Sequence, residues 1–281
     1  MEGTAKKIRK GGAVEAVPFG DDYMFSTVMK HKDACMRLIE AVFPERKVAD
    51  IRYVKRPEPQ RTIVLDPLGK GIRMDVYFDD GDTVYDIELQ RSNSRELAQR
   101  SRMYSALMDA SSMKRGEAYG GMRDGYVIFI CTFDPFGRGL KRYAFGTVCE
   151  GAGGLPLEDG RHIIFLNTRG TEGEESPDMD ELFSYINGGA GSIGAEGCGE
   201  LVRLVDGYVR LYNTDGSWRK EYMKLEFMLR DRYRDGEQAG ISQGVAEEKL
   251  RIARNLRNQG FPVEAIAKAT SLSEKEVEAI G

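Results

Sequence analysis

The sequence predicts an α/β fold with a central mixed β-sheet flanked by helices. Three observations carry the prediction: helical periodicity over 22–43, a series of strand-like runs ending in a hairpin at 71–90, and the continuous apolar stretch YVIFICTF at 126–133. A run of that last kind suits a strand buried on both faces. The order helix, strands, helix, strand, then helices is that of an α/β domain whose sheet mixes strand directions.

The elements follow in order. Residues 1–18 combine charge, Gly and small side chains without periodicity and read as a disordered basic lead. Asp21 or Asp22 offers an N-cap, and Phe25, Val28, Met29, Met36, Ile39, Val42 and Phe43 recur at helical spacing up to Pro44, which predicts one amphipathic helix over 22–43. Short strands are expected at 48–55, 61–66, 72–78 and 84–90, the last two joined by DDGD. Helical patterning returns over 93–112, with Leu97, Tyr104, Leu107 and Met108 on one face. After the apolar strand at 126–133 come strands near 142–149 and 161–167, an acidic loop at 171–181, and helices at about 178–187, 199–213 and 217–234. The Gly-rich stretch DGEQAGISQGV at 235–245 reads as a hinge or frayed helix end, so a boundary is expected near 236. The domains are then 19–235 and a helical tail at 236–281, whose last part, 262–280, has the look of a helix-turn-helix. That tail reads equally as a DNA-contacting element and as a structural or self-association element, since DNA-reading domains of this kind have about three helices.

Composition excludes several classes. The 281-residue chain is 41% hydrophobic and 31% charged, as soluble globular proteins are. No apolar run approaches the roughly 20 residues of a membrane span. Four cysteines stand far apart with no CxxC pair, which argues for a reducing, cytoplasmic setting and against a zinc knuckle. Two histidines are too few for a histidine-rich metal site, so carboxylates are the expected instruments of any chemistry. The net charge of −4 means that a polyanion must be met by a local patch. His31 is expected on the polar side of its helix, His162 at a strand start, Cys35 and Cys131 as buried small hydrophobes, and Trp218 as a packing anchor.

The informative segment is GIRMDVYFDDGDTVYDIELQ at 71–90. With Gly81 and Asp82 as the two central residues of a tight II′-type turn, paired position numbers sum to 163. That register sets Asp75 across from Glu88, Arg73 across from Gln90 and Tyr77 across from Asp86, while Ile72, Met74, Val76, Phe78, Tyr85, Ile87 and Leu89 line the other face. Two carboxylates opposed at about 5 Å repel unless a positive charge joins them. A divalent cation such as Mg²⁺, which takes hard oxygen ligands and keeps waters and phosphate oxygens, answers that need. Ion pairs of Asp75 with Arg73 or a helix arginine, and of Glu88 with Arg91, are the alternative. Residues 91–115 carry six Lys or Arg against two Asp or Glu, a local +4 suited to a phosphate backbone.

These residues resemble a known family. An acid on one strand, E-x-Q on the next and a helix after it look like the core of the PD-(D/E)xK nuclease superfamily. More narrowly, DYMF, RMDV, DIELQ, RSRMYSALMD, YVIFICTFDPFGRG and the tail phrase GFPVEAIAKATSLSEKEVEAI together resemble its recombination-promoting nuclease branch, the PD-(D/E)xK-family transposases. The resemblance covers roughly 20–170 and the tail. It implies a restriction-endonuclease-like core and a metal-dependent DNA endonuclease that hydrolyses a phosphodiester with a metal-activated water. Asp75 and Glu88 would ligate Mg²⁺, with Mn²⁺ as a substitute and the Leu89 carbonyl as a third ligand. Gln90 stands where most of the superfamily has lysine; it can position water but brings no charge. Asp22 would join as a further acid, or serve only as the N-cap. Arg91, Arg95, Arg100 and Arg102 would grip phosphate. Ser26 departs from the lysine frequent in relatives. DNA is the implied partner, no membrane is, and a homodimer is compatible. The alternative function is a nuclease-derived DNA-binding or regulatory protein whose catalysis is weak or lost.

Overall fold

The computed structural model describes residues 15–48, 50–53, 61–63, 72–74, 76–93, 96–113, 116–188 and 198–280. The expected lead at 1–14, and Asp75 and Arg95 among the candidate site residues, lie outside the described residues.

The first helical stretch is two helices, α1 (Asp22–Val28) and α2 (Lys32–Val42), where a single helix over 22–43 was expected. The ladder breaks at Met29–His31, where Lys30 and His31 donate in tight turns to Thr27 and Val28. The His31 ring stacks on Tyr208 at 3.7 Å and meets the Tyr212 hydroxyl at 2.9 Å, which holds the corner shut. The Cys35 thiol donates to the Met29 carbonyl at 2.8 Å, so the interrupted helix end keeps a donor.

The strands β1 (Arg52–Tyr53), β2 (Arg61–Ile63), β3 (Ile72–Met74), β4 (Val76–Asp79) and β5 (Thr83–Gln90) follow. Next come α3 (Leu97–Ser112), β6 (Asp124–Cys131), β7 (Arg142–Phe145), β8 (Val148–Cys149), β9 (Leu155–Pro156) and β10 (Arg161–Asn167). The chain continues through α4 (Pro177–Gly188) and α5 (Glu200–Thr214). A six-stranded sheet runs β1-β4-β5-β6-β10-β7. It is antiparallel at β1/β4, β4/β5 and β10/β7, and parallel at β5/β6 and β6/β10. The fold is therefore the mixed-sheet α/β architecture expected from the sequence, consistent with a restriction-endonuclease-like core.

One face of the sheet presents Tyr77, Val84, Val127, Phe129 and Phe165, and α3 covers it with Leu97, Tyr104, Leu107 and Met108, the helix face read from the sequence. The opposite face presents Phe78, Tyr85 and Tyr126, which Phe43 meets just after α2. Both faces being covered, β5 is buried continuously from Thr83 to Leu89. The alternation of the hairpin is kept, and α3 lies over its polar side.

The last helices form a separate unit, Gly216–Gly281, against Met1–Asp215. Helix α6 (Gly216–Asn258) is continuous, so the expected hinge at 235–245 is absent and the division falls at residue 216, not near 236. The expected end of the lead at residue 18 also moves, because Val17 is buried and its amide and carbonyl both pair with the Asn213 side chain, at 2.8 and 2.9 Å. Within the second unit, α7 (Val263–Thr270) and α8 (Glu274–Ala279) pack on the end of α6 through Ala253, Ile266, Val277 and Ile280. Ser273 caps α8 reciprocally with Glu276, which forces the turn between the two short helices. Among the described residues no helix is long and apolar enough to cross a membrane.

Candidate active site

The hairpin has the register read from the sequence. Gly81 takes a φ of +108°, which its missing Cβ permits, and the Asp80 carboxylate accepts from the Thr83 amide at 2.8 Å to close the turn. Val76 pairs with Ile87, Tyr77 with Asp86, Phe78 with Tyr85 and Asp79 with Val84, so each pair sums to 163. In parallel register with β6, Asp86, Glu88 and Gln90 lie beside Val127, Phe129 and Cys131. All three polar side chains therefore share the α3 side of a central strand, and Gln90 ends it at the carboxyl edge, where open α/β sheets place their ligands. Thr132 donates its amide to the Gln90 carbonyl at 2.9 Å and fixes that edge.

Glu88 is only 2% exposed and Asp86 is 0% exposed. Carboxylates so placed require cationic or hydrogen-bonding partners. Arg100, one turn into α3, reaches down to Glu88 and to Gln90 beside it. Its Nη1 donates to Gln90 Oε1 at 2.9 Å, and its Nη2 lies 3.4 Å from Glu88 Oε2 and donates to the Tyr104 hydroxyl at 2.8 Å. The guanidinium also lies over the Tyr104 and Phe129 rings, 5.4 and 5.7 Å from their centroids. Burial, then the neighbouring Glu88 charge, push the Tyr104 hydroxyl well above its ordinary range, so it stays protonated. Burial likewise pushes the Cys131 thiol up to about 12.

Helix α1 is tied to the same edge. Asp21, not Asp22, is the N-cap, accepting from the Tyr23 and Met24 amides at 3.0 and 3.3 Å. Asp21 also pairs with Arg91, immediately after β5, at 3.6 Å. Asp22 is the first helical residue; its surroundings desolvate its carboxyl and hold it above the usual carboxylate range, with Arg91 opposing the shift. Ser26 is buried, donating to the Tyr23 carbonyl at 3.1 Å.

The expected residues thus divide. Glu88, Gln90 and Arg100 come together, and Asp22 stands near them through Arg91. The Leu89 side chain is buried on the opposite face of β5. Arg91 and Arg102 are exposed, whereas Arg100 is drawn inward. Sequence reasoning treated Tyr104 only as core and did not single out Asp86. The i,i+4 spacing of Arg100 and Tyr104 was the available signal. Among the described residues no three His, Cys, Asp or Glu side chains are grouped to hold a metal. The Glu88 carboxylate offers hard oxygens of the type that suits Mg²⁺ or Mn²⁺.

A family model described as PD-(D/E)XK nuclease family transposase matches residues 19–181. A second, described as Rpn/YhgA-like nuclease family, C-terminal HTH domain, matches residues 246–281. Comparison with curated proteins and with solved structures gave no match.

Proposed function

The chain belongs to the PD-(D/E)XK nuclease family transposases, and from that premise we propose that it is a Mg²⁺-dependent DNA endonuclease whose centre is built on Glu88, Gln90 and Asp75. The observation that carries this reading is the buried Glu88 carboxylate at the carboxyl edge of β5, beside Gln90 and gripped with it by Arg100. Carried one position past Val76, the register that sums to 163 would set Asp75 opposite Glu88 and supply the second carboxylate. The Leu89 carbonyl is the third protein ligand in this reading, and Asp22 a further acid at the same edge. Mn²⁺ would substitute for Mg²⁺. When bound, the cation supplies an activated water and polarises the phosphodiester.

The chain's own residues do the rest. Arg100 engages the oxygen of the Gln90 amide, so its NH₂ is the end that can donate to a water or phosphate oxygen. Gln90 places and Arg100 neutralises, dividing between two side chains what one lysine does in most of the superfamily. Arg91 and Arg102, exposed beside this edge, grip phosphate, and Arg95 has the same role by its position in the sequence. The helix-turn-helix unit at 246–281 adds a second DNA contact.

A plasmid-nicking assay with Mg²⁺ or Mn²⁺ tests the proposal. Wild-type protein should nick, and Asp75→Ala and Glu88→Ala should each reduce the rate by at least 10²-fold, on the order of what losing a preorganised charge costs. Variants as active as wild type would overturn the site. DNA retention without nicking by the wild type would favour a DNA-binding regulator instead.

A further inference from the structure

The parallel strands β5, β6 and β10 end together: Gln90, Cys131 and Asn167 stand side by side in register. The centre on Glu88 and Gln90 uses only the first of these carboxyl ends. The loops after the other two are bonded to each other, since the Thr171 and Glu172 amides both donate to the Gly139 carbonyl at 2.9 Å. Gly170 lies so close to the chain entering β7 that a Cβ there would stand 2.6 Å from the Lys141 backbone. In the first loop, the Asp134 carboxylate accepts from the amides of Phe136, Gly137 and Gly139 at 3.0, 2.9 and 2.7 Å and from the Tyr143 hydroxyl at 2.7 Å. Its charge is spent inside the loop, and Arg138 is left exposed.

The second loop is held as firmly. The buried Asn167 side chain donates to the Leu140 carbonyl at 3.0 Å and accepts from the Arg169 amide at 3.0 Å. The Arg169 side chain then returns along the edge, where its Nε donates to the Thr132 carbonyl at 2.8 Å. Thr132 is the residue whose own amide donates to the Gln90 carbonyl. A single residue therefore links the Arg169 guanidinium to the strand end that carries Gln90. With Nε engaged, the two terminal nitrogens keep four N–H donors in one plane. Among the described residues neither Arg138 nor Arg169 has an acid within ion-pair distance, Glu172 of the second loop included. Lys141 and Arg142 are by contrast taken by Asp180 and Glu175, at 2.7 and 2.8 Å. An exposed guanidinium already fixed at one nitrogen loses little further freedom on binding, and its fork matches phosphate oxygens two at a time.

We propose that Arg169, with Arg138 on the adjoining loop, is a phosphate-binding site for the nucleic-acid backbone that crosses the Glu88–Gln90 edge. Two strand spacings set the end of β10 about 10 Å from Gln90, so the backbone is gripped at the β10 end as well as by the arginines that follow β5. The identity of the polyanion rests on the nuclease reading; the site itself is read without cleavage.

Binding of a fluorescent DNA duplex by the full-length protein in EDTA, at several salt concentrations, tests the site. Arg169→Ala should flatten the salt dependence by about one unit of slope, and Arg138→Ala combined with Arg169→Ala by about two. Arg169→Lys should keep the wild-type slope, because the charge remains. Location is read by photo-cross-linking to the duplex from an introduced thiol in a Cys149→Ser background, the exposed native thiol being removed. Arg169→Cys should give a DNA adduct. Glu45→Cys should not, since Glu45 is exposed at the opposite edge, where Arg46 meets Thr83 at the start of β5. An unchanged slope in Arg169→Ala with a lowered thermal midpoint would make Arg169 a structural residue only and overturn the proposal, as would adducts of equal yield at both positions or at neither. A wild type that gives the expected slopes and adduct without nicking would support this site and fail the nuclease reading alone.

Discussion

The Arg100 guanidinium donates to the Gln90 side-chain oxygen at 2.9 Å, so a helix and a strand ten residues apart in sequence share one polar centre. The contact joins the residue that lacks a charge to one that has it. Because the same guanidinium also reaches Glu88 and Tyr104, its planar fork and not merely its charge is used.

Arg100→Ala should therefore lower the nicking rate constant by on the order of 10²-fold, with the apparent affinity for DNA little changed. Arg100→Lys should recover only part of the loss, since a point ammonium cannot span three acceptors. Arg102→Ala offers the contrast: exposed on the same helix, it should weaken DNA binding and flatten its salt dependence by about one unit of slope while leaving the rate on saturating DNA intact. The separation is measured by single-turnover cleavage beside binding isotherms at several salt concentrations. Equal behaviour of the Arg100 and Arg102 variants would place Arg100 among the phosphate contacts.

The buried thiol at the same edge leads to a pH dependence. Cys131 is fully buried, and burial raises its pKa from 9.0 to about 12. Above pH 9 the unfolded chain releases this proton while the folded chain holds it, so ionisation favours unfolding. Stability should accordingly be level in this respect below pH 9 and fall as pH rises from 9 toward 12, by about 1.4 kcal/mol per pH unit from this group. Cys131→Ala should flatten part of that slope in denaturant titrations. In neutral buffer a thiol reagent should modify Cys149, the exposed cysteine, quickly, and the buried Cys35, Cys131 and Cys198 only when the chain unfolds. Rapid modification of Cys131 in the native state would contradict this account.

Local signals in the sequence reached far. The hairpin register followed from one turn, because Gly81 allows a single tight geometry and side-chain period then fixes every partner. Leu97, Tyr104, Leu107 and Met108 were legible as the inner face of α3 from helical spacing alone. What stayed hidden is tertiary. Periodicity runs unbroken through Met29–His31, but His31 stacks on Tyr208 far along the chain and the helix splits. Glycines at 236, 240 and 244 argue locally for a hinge, and α6 runs through them. Counting charge made Arg100 one of several phosphate contacts; only the packing of α3 over β5 turns it onto Glu88 and Gln90.

The C-terminal unit depends on one cation in a comparable way. Arg257, in the last turn of α6, donates from Nη1 to the carbonyls of Val277 at 2.9 Å and Glu278 at 3.0 Å, and also to that of Ile280. These carbonyls lie at the end of α8, a helix of six residues, where the Ile280 amide also donates to the Val277 carbonyl. A positive charge there also opposes the negative end of the helix dipole. Ala253, Ile266, Val277 and Ile280 form the small core that this contact closes, and so small a core has little stability to spare. Arg257→Ala should cost the unit about 1–3 kcal/mol, the range for hydrogen bonds from a charged donor, and Arg257→Lys less, since one nitrogen and the charge remain. Amide hydrogen exchange in the full-length protein provides the measurement: exchange across 263–280 should accelerate by ten- to hundredfold in the alanine variant, while amides of the central strand at 127–130 keep their protection. Unchanged exchange at 263–280 would mean that the apolar cluster alone holds the three helices together.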